Sequence, residues 1–292
     1  MKRSHKFISP AKLNLYLEVK NKRKDGFHNL ESLMTFCELG DIIRIEKSSK
    51  FKLEINGPFG RSLDLNKNII VEAVKGLEQL YEREFTVSVT LKKNLPISSG
   101  MGGGSSNAAT VIRAIHDIFN VDESQYLDNF LISIGADVPF CYYGKSAIIT
   151  GIGDQIQFVN HDLDDYHVLL INPIKEISTK NIFEKLKIEK EKRVKKEIKL
   201  NQINLDFLKG KENHLESVAI KELLEINIIL EFLRLKTNSL YSRMTGSGAT
   251  CFSIFENKES LESAEKMIKL KFPFYWVMNT KLVNSINDIN LV

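Results

Sequence analysis

The chain lacks the marks of several protein classes. Its three cysteines, Cys37, Cys141 and Cys251, are odd in number, far apart and form no CxxC pair. This disfavours both a disulfide framework and a zinc site built from local sequence, and points to buried free thiols. No apolar run approaches the roughly 18 residues of a membrane span, so no membrane is expected as a partner; the longest runs, such as Val168 to Ile171, are strand-sized. The N-terminus is basic at Lys2, Arg3 and Lys6 but runs into Phe7-Ile8-Ser9-Pro10-Ala11-Lys12. It lacks the apolar segment of about 7 to 15 residues that a secretory signal needs, and a cytoplasmic location is expected. No internal repeat of fixed period is present.

An excess of charge of one sign is confined to one segment. The net +4 comes from 41 Lys and Arg against 37 Asp and Glu, yet the stretch from Lys185 to Lys199 alone carries eight basic and three acidic residues. The remaining chain is close to neutral. That stretch has no interleaved aromatics and reads as a solvated helix or loop, so no nucleic-acid partner is expected.

What is present is an ordinary globular composition, 43% apolar and 27% charged over 292 residues, enough for two domains at about 150 residues each. Leu13, Leu15, Leu17 and Val19 alternate as in a half-buried strand, which puts Lys12 and Asn14 together on the opposite face. Shorter strands are expected over Ile42 to Ile45 and Phe51 to Ile55, a helix over Ile69 to Tyr81 and a strand over Phe85 to Leu91. A glycine-rich loop then leads into a helix with apolar residues at Ala108, Val111, Ile112, Ile115 and Phe119. Another helix is expected over Ser124 to Ile134, β structure over Val138 to Thr150, and a strand around His167 to Ile171. Beyond Asn172-Pro173 the pattern is mainly helical until two short β runs flank Thr245 to Gly248; a helix over Lys258 to Leu270 and a strand over Phe274 to Met278 follow. The expected division is residues 1–165 and 166–292.

The strongest chemical signal is the loop from Pro96 through Ser99, Gly100, Met101, Gly102, Gly103 and Gly104 to Ser105, Ser106 and Asn107. Glycines permit close backbone approach, and a helix start beyond them offers unpaired N–H groups and a positive dipole end, an arrangement that suits phosphate. The hydroxyls of Ser105 and Ser106 can add hydrogen bonds, and Ser106 is a candidate ligand for Mg²⁺. No Lys follows the glycines, so this is no GxxxxGK[ST] loop, and Ser105 breaks GxGxxG. Ser9 to Lys12 matches SxxK, but on a strand and with no KTG anywhere in the chain.

Three further segments are polar. Asp137 in Gly135-Ala136-Asp137-Val138-Pro139 stands between a helix and expected β structure, where an acid is either a cap or a reactive group. Met244 to Ala249 contains a second glycine turn at Gly246, Ser247 and Gly248. Lys24-Asp25-Gly26-Phe27-His28 reads alone as a hairpin turn with a surface histidine.

Taken in order, these segments resemble the GHMP kinase superfamily, and within it the branch of the non-mevalonate isoprenoid route whose alcohol is a cytidine-diphosphate-linked methylerythritol. Ser9 to Leu15 is similar to that branch's opening strand, Asp25 to His28 to its DGYH turn with Phe for Tyr, Gly100 to Ala109 to its GLGGGSSNAA loop, Gly135 to Pro139 to its GADVP, Gly151 to Asp154 to its GIGD/E turn and Met244 to Ala249 to its MSGSGA. The resemblance implies a two-domain α+β fold, with an N-terminal ribosomal-S5-like β-α-β domain and a C-terminal ferredoxin-like α/β sandwich. It implies ATP and Mg²⁺, Asp137 as the base, Lys12 as its cationic neighbour, and the loop from Pro96 to Asn107 as the ATP site. It also implies Phe27 and Phe183 on the two faces of a cytosine and His28 on its edge. Asn14, Thr179, Gly246, Ser247 and Gly248 would meet the rest of a small-molecule substrate. Two rivals fit the same residues: a kinase of this superfamily for another small alcohol, mevalonate- or homoserine-like, and a non-catalytic nucleotide- or RNA-binding protein motivated by Lys185 to Lys199.

Overall fold

A computed structural model describes residues 4–65, 67–186 and 203–289. The basic stretch from Lys185 to Lys199 therefore lies outside the described residues beyond position 186. The chain opens with a hairpin of two long strands, β1 (His5–Lys22) and β2 (His28–Lys47), followed by β3 (Lys52–Asn56). Helix α1 (Ile69–Leu80) carries the chain to β4 (Val87–Lys92), which lies parallel to β3. Asn68 caps α1 by accepting from the Ile70 N–H at 3.0 Å. Then come α2 (Gly103–Phe119), α3 (Leu127–Ile134), α4 (Val138–Tyr143) and the hairpin of β5 (Ala147–Gly151) and β6 (Gln155–Phe158).

The sequence pattern shows only the Ile42 to Ile45 end of β2. The whole strand is 20 residues long because it changes partners along one edge: Ile42 to Lys47 pair with β4 and Leu30 to Met34 with β5. Its other edge pairs with β1. Strand β1 is not half-buried as the alternation suggests; every residue from Ala11 to Leu17 is buried. Leu13 and Leu15 face one core, while Lys12 and Asn14, 4% and 1% exposed, lie at the floor of a cleft.

The Val138 to Tyr143 segment is helical, against its β-favouring composition. Pro139 suits the first helical turn, Gly144 ends the helix in the left-handed region at φ +64°, and Phe140 stacks on Phe36 with centroids 4.5 Å apart.

The C-terminal half begins with β7 (His167–Asn172) and continues through α5 (Thr179–Lys185), α6 (Leu205–Lys209), α7 (Glu216–Glu222) and α8 (Leu224–Lys236). It then forms β8 (Tyr241–Met244), β9 (Cys251–Phe255), α9 (Lys258–Lys271) and β10 (Trp276–Thr280). Its strands are ordered β10-β7-β9-β8 and all pair antiparallel, the arrangement of a β-α-β-β-α-β ferredoxin-like unit. A final short strand, β11 (Leu282–Val283), returns to β2 at Cys37 and Phe36.

Alternation along the strands sets the layers. Met34, Phe36, Ile43, Ile45, Val87 and Val89 face α1 and α2. Leu13, Leu15 and Leu33 face Val168, Leu170, Phe252 and Ile254 of the second sheet, whose other side, through Leu169, Ile171, Cys251 and Phe255, packs on α8 and α9. All three cysteines are buried free thiols, and burial pushes each above its ordinary pKa. No described helix is long and apolar enough to cross a membrane.

Candidate active site

The strand, loop and helix around Gly102 explain how the backbone forms an anion cradle. Pro10 has no N–H, and β1 shifts register between Pro10 and Lys12, so the Lys12 N–H leaves the β ladder and donates to the Met101 carbonyl at 3.0 Å. Gly102 stands before α2 at φ +61°, and a Cβ there would come 2.7 Å from the Lys12 stem. The N–H groups of the first helical turn have no partner within the helix, and Gly103, Gly104 and Ser105 line the cleft. Gly104 is open, with nothing nearer to an added Cβ than Ile69 at 3.7 Å.

The two glycine turns meet. An added Cβ on Gly100, whose φ is +77°, would be 2.4 Å from the Thr245 carbonyl oxygen, and one on Gly246 would be 2.9 Å from the Gly100 carbonyl oxygen. The Thr250 N–H donates to the Ser99 carbonyl, and the Asn14 N–H to Thr245 Oγ1 at 2.8 Å. Thus β1, the first loop and the second turn are locked at one place. Pro96, Ser99, Gly100, Gly246 and Ser247 line the cleft beside it, whereas Met101 is fully buried and Gly248 is not part of the lining.

At the cleft floor, Lys12 Nζ lies 3.1 Å from Asp137 Oδ2 and donates to Asn14 Oδ1 at 2.7 Å. Asn14 Nδ2 in turn donates to Ser32 Oγ, and Ser32 Oγ to the Tyr16 carbonyl. Asp137 occupies the cap position of α4, but its carboxylate makes no cap hydrogen bond. It faces Lys12 and the cleft instead.

At the far end, the β1–β2 turn is closed by the Arg23 N–H on the Phe27 carbonyl at 2.7 Å and by Asp25 Oδ1 accepting from the Phe27 N–H. Phe27 is 60% exposed at the cleft lip, while the His28 and Phe183 rings are 5.5 Å apart. His28 Nε2 is buried with no hydrogen-bond partner among the described residues. Burial, then the charge of Lys22, holds the His28 pKa below its ordinary value. Thr179, at the start of α5, shares a 2.7 Å hydroxyl contact with Ser247.

Two placements differ from the simplest sequence pattern. Ser106 Oγ is buried and accepts from Ser9 Oγ at 2.9 Å, so the hydroxyl that lines the cleft is that of Ser105. Asn107 lines the cleft, but its Nδ2 donates to Asp41 Oδ2 at 3.1 Å. Asp41 is no candidate on sequence grounds. It is fully buried, pairs with Lys93, and accepts from the Asn94 and Leu95 N–H groups at 2.7 and 2.9 Å, which ties the chain entering the glycine loop to the first turns of α2. Its one sequence signal is a lone acid beside the apolar run that begins at Ile42.

Lys12, Asp137, the glycine loop at Gly102 to Ser105, His28 and Phe183 line one cleft of about 1140 Å³. Among the described residues, no group of three or more His, Cys, Asp or Glu side chains is placed to hold a metal ion.

Comparison with known proteins agrees with this architecture. Residues 68–145 match the GHMP kinases N terminal domain, and residues 182–273 match GHMP kinases C terminal. A 4-diphosphocytidyl-2-C-methyl-D-erythritol kinase of Chelativorans sp. (strain BNC1) is 34% identical over 98% of each chain, and one of Rhizobium etli (strain CIAT 652) is 34% identical over 94% of this chain and 93% of that protein. A solved 4-(cytidine 5'-diphospho)-2C-methyl-D-erythritol kinase is 25% identical, covers 95% of this chain and 99% of that one, and superposes with a TM-score of 0.79. A homoserine kinase from Cytophaga hutchinsonii, 17% identical with a TM-score of 0.69 over 98% of this chain and 96% of that one, shares the fold. The fold is the two-domain α+β arrangement with an N-terminal β-α-β domain and a C-terminal ferredoxin-like sheet. By sequence relationship and by fold the chain belongs to the GHMP kinase superfamily, whose chemistry is phosphoryl transfer to small alcohols.

Proposed function

We propose that the protein transfers the γ-phosphoryl group of ATP, carried with Mg²⁺, to the 2-hydroxyl of 4-diphosphocytidyl-2-C-methyl-D-erythritol, giving the 2-phosphate and ADP. The observation that carries this reading is one cleft joining the glycine loop, the Lys12–Asp137 pair and the His28–Phe183 pair. The named relatives support the same substrate. The division at residues 1–165 and 166–292 belongs to this proposal.

Phosphoryl transfer rests mainly on positioning and on offsetting charge. The substrate hydroxyl oxygen forms a bond to the γ-phosphorus as the bond to the ADP oxygen breaks, and the hydroxyl proton passes to the Asp137 carboxylate. Lys12, fixed by Asn14 and Asp137, offsets negative charge on the transferred group. The glycine loop presents helix-start N–H groups to the nucleotide phosphates. Mg²⁺ bound with ATP would supply further charge neutralisation, and Ser105 is a hydroxyl-bearing residue on the cleft wall that suits it. Phe27 and Phe183 offer aromatic faces to a base, while neutral His28 offers an unpartnered buried nitrogen to its edge.

Calorimetric titration with CDP tests the cytidine reading. Saturable binding that weakens at least about tenfold in His28→Ala supports it, since one buried polar contact is worth about 1–3 kcal/mol. No binding of CDP to the wild-type protein overturns it in favour of another small alcohol.

A further inference from the structure

Asn213, in the segment between α6 and α7, is a buried side chain whose amide makes three hydrogen bonds outside the cleft's catalytic pair. This segment joins β1 as a short extra strand: the Leu17 N–H donates to the Glu212 carbonyl at 3.0 Å, and the His214 N–H to the Leu17 carbonyl at 2.8 Å. That pairing fixes Asn213 against the second glycine turn. Its side chain is 5% exposed, and its Nδ2 donates to the carbonyls of both Met244 and Gly246, at 2.7 and 2.8 Å. Its Oδ1 accepts from the Leu215 N–H at 3.0 Å.

The turn is gripped from several sides. Glu216 Oε2 accepts from the Met244 N–H at 3.1 Å, and Arg234 and Arg243 hold that carboxylate at 3.1 and 3.5 Å. From the cleft side, Gly246 stands against the Gly100 carbonyl and Asn14. Only a primary amide presents two donors and an acceptor from one planar group, so Asn213→Asp would set a carboxylate against two carbonyl oxygens.

We infer that Asn213 is a positioning residue, which sets the Gly246–Ser247 backbone against the bound alcohol substrate without touching it. The inference rests on the proposed small-alcohol phosphotransfer, but not on the identity of the alcohol, because the clamp acts on the turn and not on the cytosine end. Ser247, held by Thr179 on one side, and Leu215, whose N–H the same amide fixes, both line the cleft. Loosening the amide moves two walls of the substrate space.

The test uses Asn213→Asp and, should that variant fold poorly, Asn213→Ser, which leaves a small polar side chain. Three readouts are taken on each: kcat and KM for the alcohol that the wild-type protein turns over, affinity for a non-hydrolysable ATP analogue, and thermal midpoint. The inference expects KM for the alcohol to rise about tenfold or more while ATP-analogue affinity stays within about threefold. Unchanged KM in a folded variant overturns it. So does a parallel loss of both affinities, which marks a general structural role. If the wild-type protein phosphorylates mevalonate or homoserine instead of the cytidylated alcohol, the substrate proposal fails while the same comparison still decides the role of Asn213.

Discussion

Lys12 Nζ and Asp137 Oδ2 lie 3.1 Å apart, yet the lysine side chain is 5% exposed and the aspartate side chain 31%. The cation is fixed in the protein floor and the carboxylate opens to the cleft. This asymmetry suits a transfer reaction: the proton acceptor must reach a mobile substrate, whereas the charge that offsets the phosphoryl oxygens acts best when held still.

Asp137→Asn keeps shape and volume and removes the proposed proton acceptor. In an ADP-release assay kcat is expected to fall about 10²–10⁴-fold, the usual worth of general-base help, with KM for ATP nearly unchanged. Turnover equal to wild type would refute the role of Asp137.

Lys12→Met keeps an apolar stem against Gly102 but deletes the ammonium. We expect kcat to drop about 10²–10³-fold. Because Asn14 Oδ1 loses its donor while still buried, denaturant unfolding should show about 1–3 kcal/mol less stability. A loss of activity with full stability would mean that Asn14 finds another partner.

Two neighbouring glycines should respond differently to alanine. Gly100→Ala must push the Thr245 carbonyl away and hold φ at +77°, and should lower stability by about 1–3 kcal/mol. Gly104→Ala meets no backbone, so the thermal midpoint should hold while KM for ATP rises, since the methyl group stands at the cleft wall. Equal loss of stability in both variants would contradict the packing described for the two turns.

Stability should fall with acid. Burial lowers the pKa of His28, His116 and His161 below the ordinary histidine value of about 6.5. The folded state thus binds fewer protons than the unfolded chain, so the stabilisation is full above that value and is lost as pH falls through it toward the depressed folded values. Thermal midpoints measured between about pH 8 and pH 5 should decline below about pH 6.5, and a flat profile would show that these rings are not held neutral.

The local order of strand, glycine loop and helix was legible because Gly100 to Gly104 and the stripe from Ala108 to Phe119 each need only near neighbours. Asp137 was legible as a turn acid, but its choice of Lys12 over a cap bond depends on a tertiary approach between positions 125 residues apart in the chain. The long β2 was hidden because its polar positions, such as Ser32, Thr35 and Asp41, find partners on distant segments and break the alternation that a half-exposed strand would show. Asn213 was invisible for the same reason: a single Asn in a polar stretch gains meaning only when β1 pairs with it. Strand β11 has two residues, too few for any periodicity.

The most direct measurement is ADP release by the purified protein with ATP, Mg²⁺ and 4-diphosphocytidyl-2-C-methyl-D-erythritol, beside the same assay with mevalonate and with homoserine. Turnover with the cytidylated alcohol alone is the predicted result. Turnover with mevalonate or homoserine alone would contradict the assignment of Phe27, His28 and Phe183 to a cytosine, and silence with all three would contradict the phosphotransfer proposal itself.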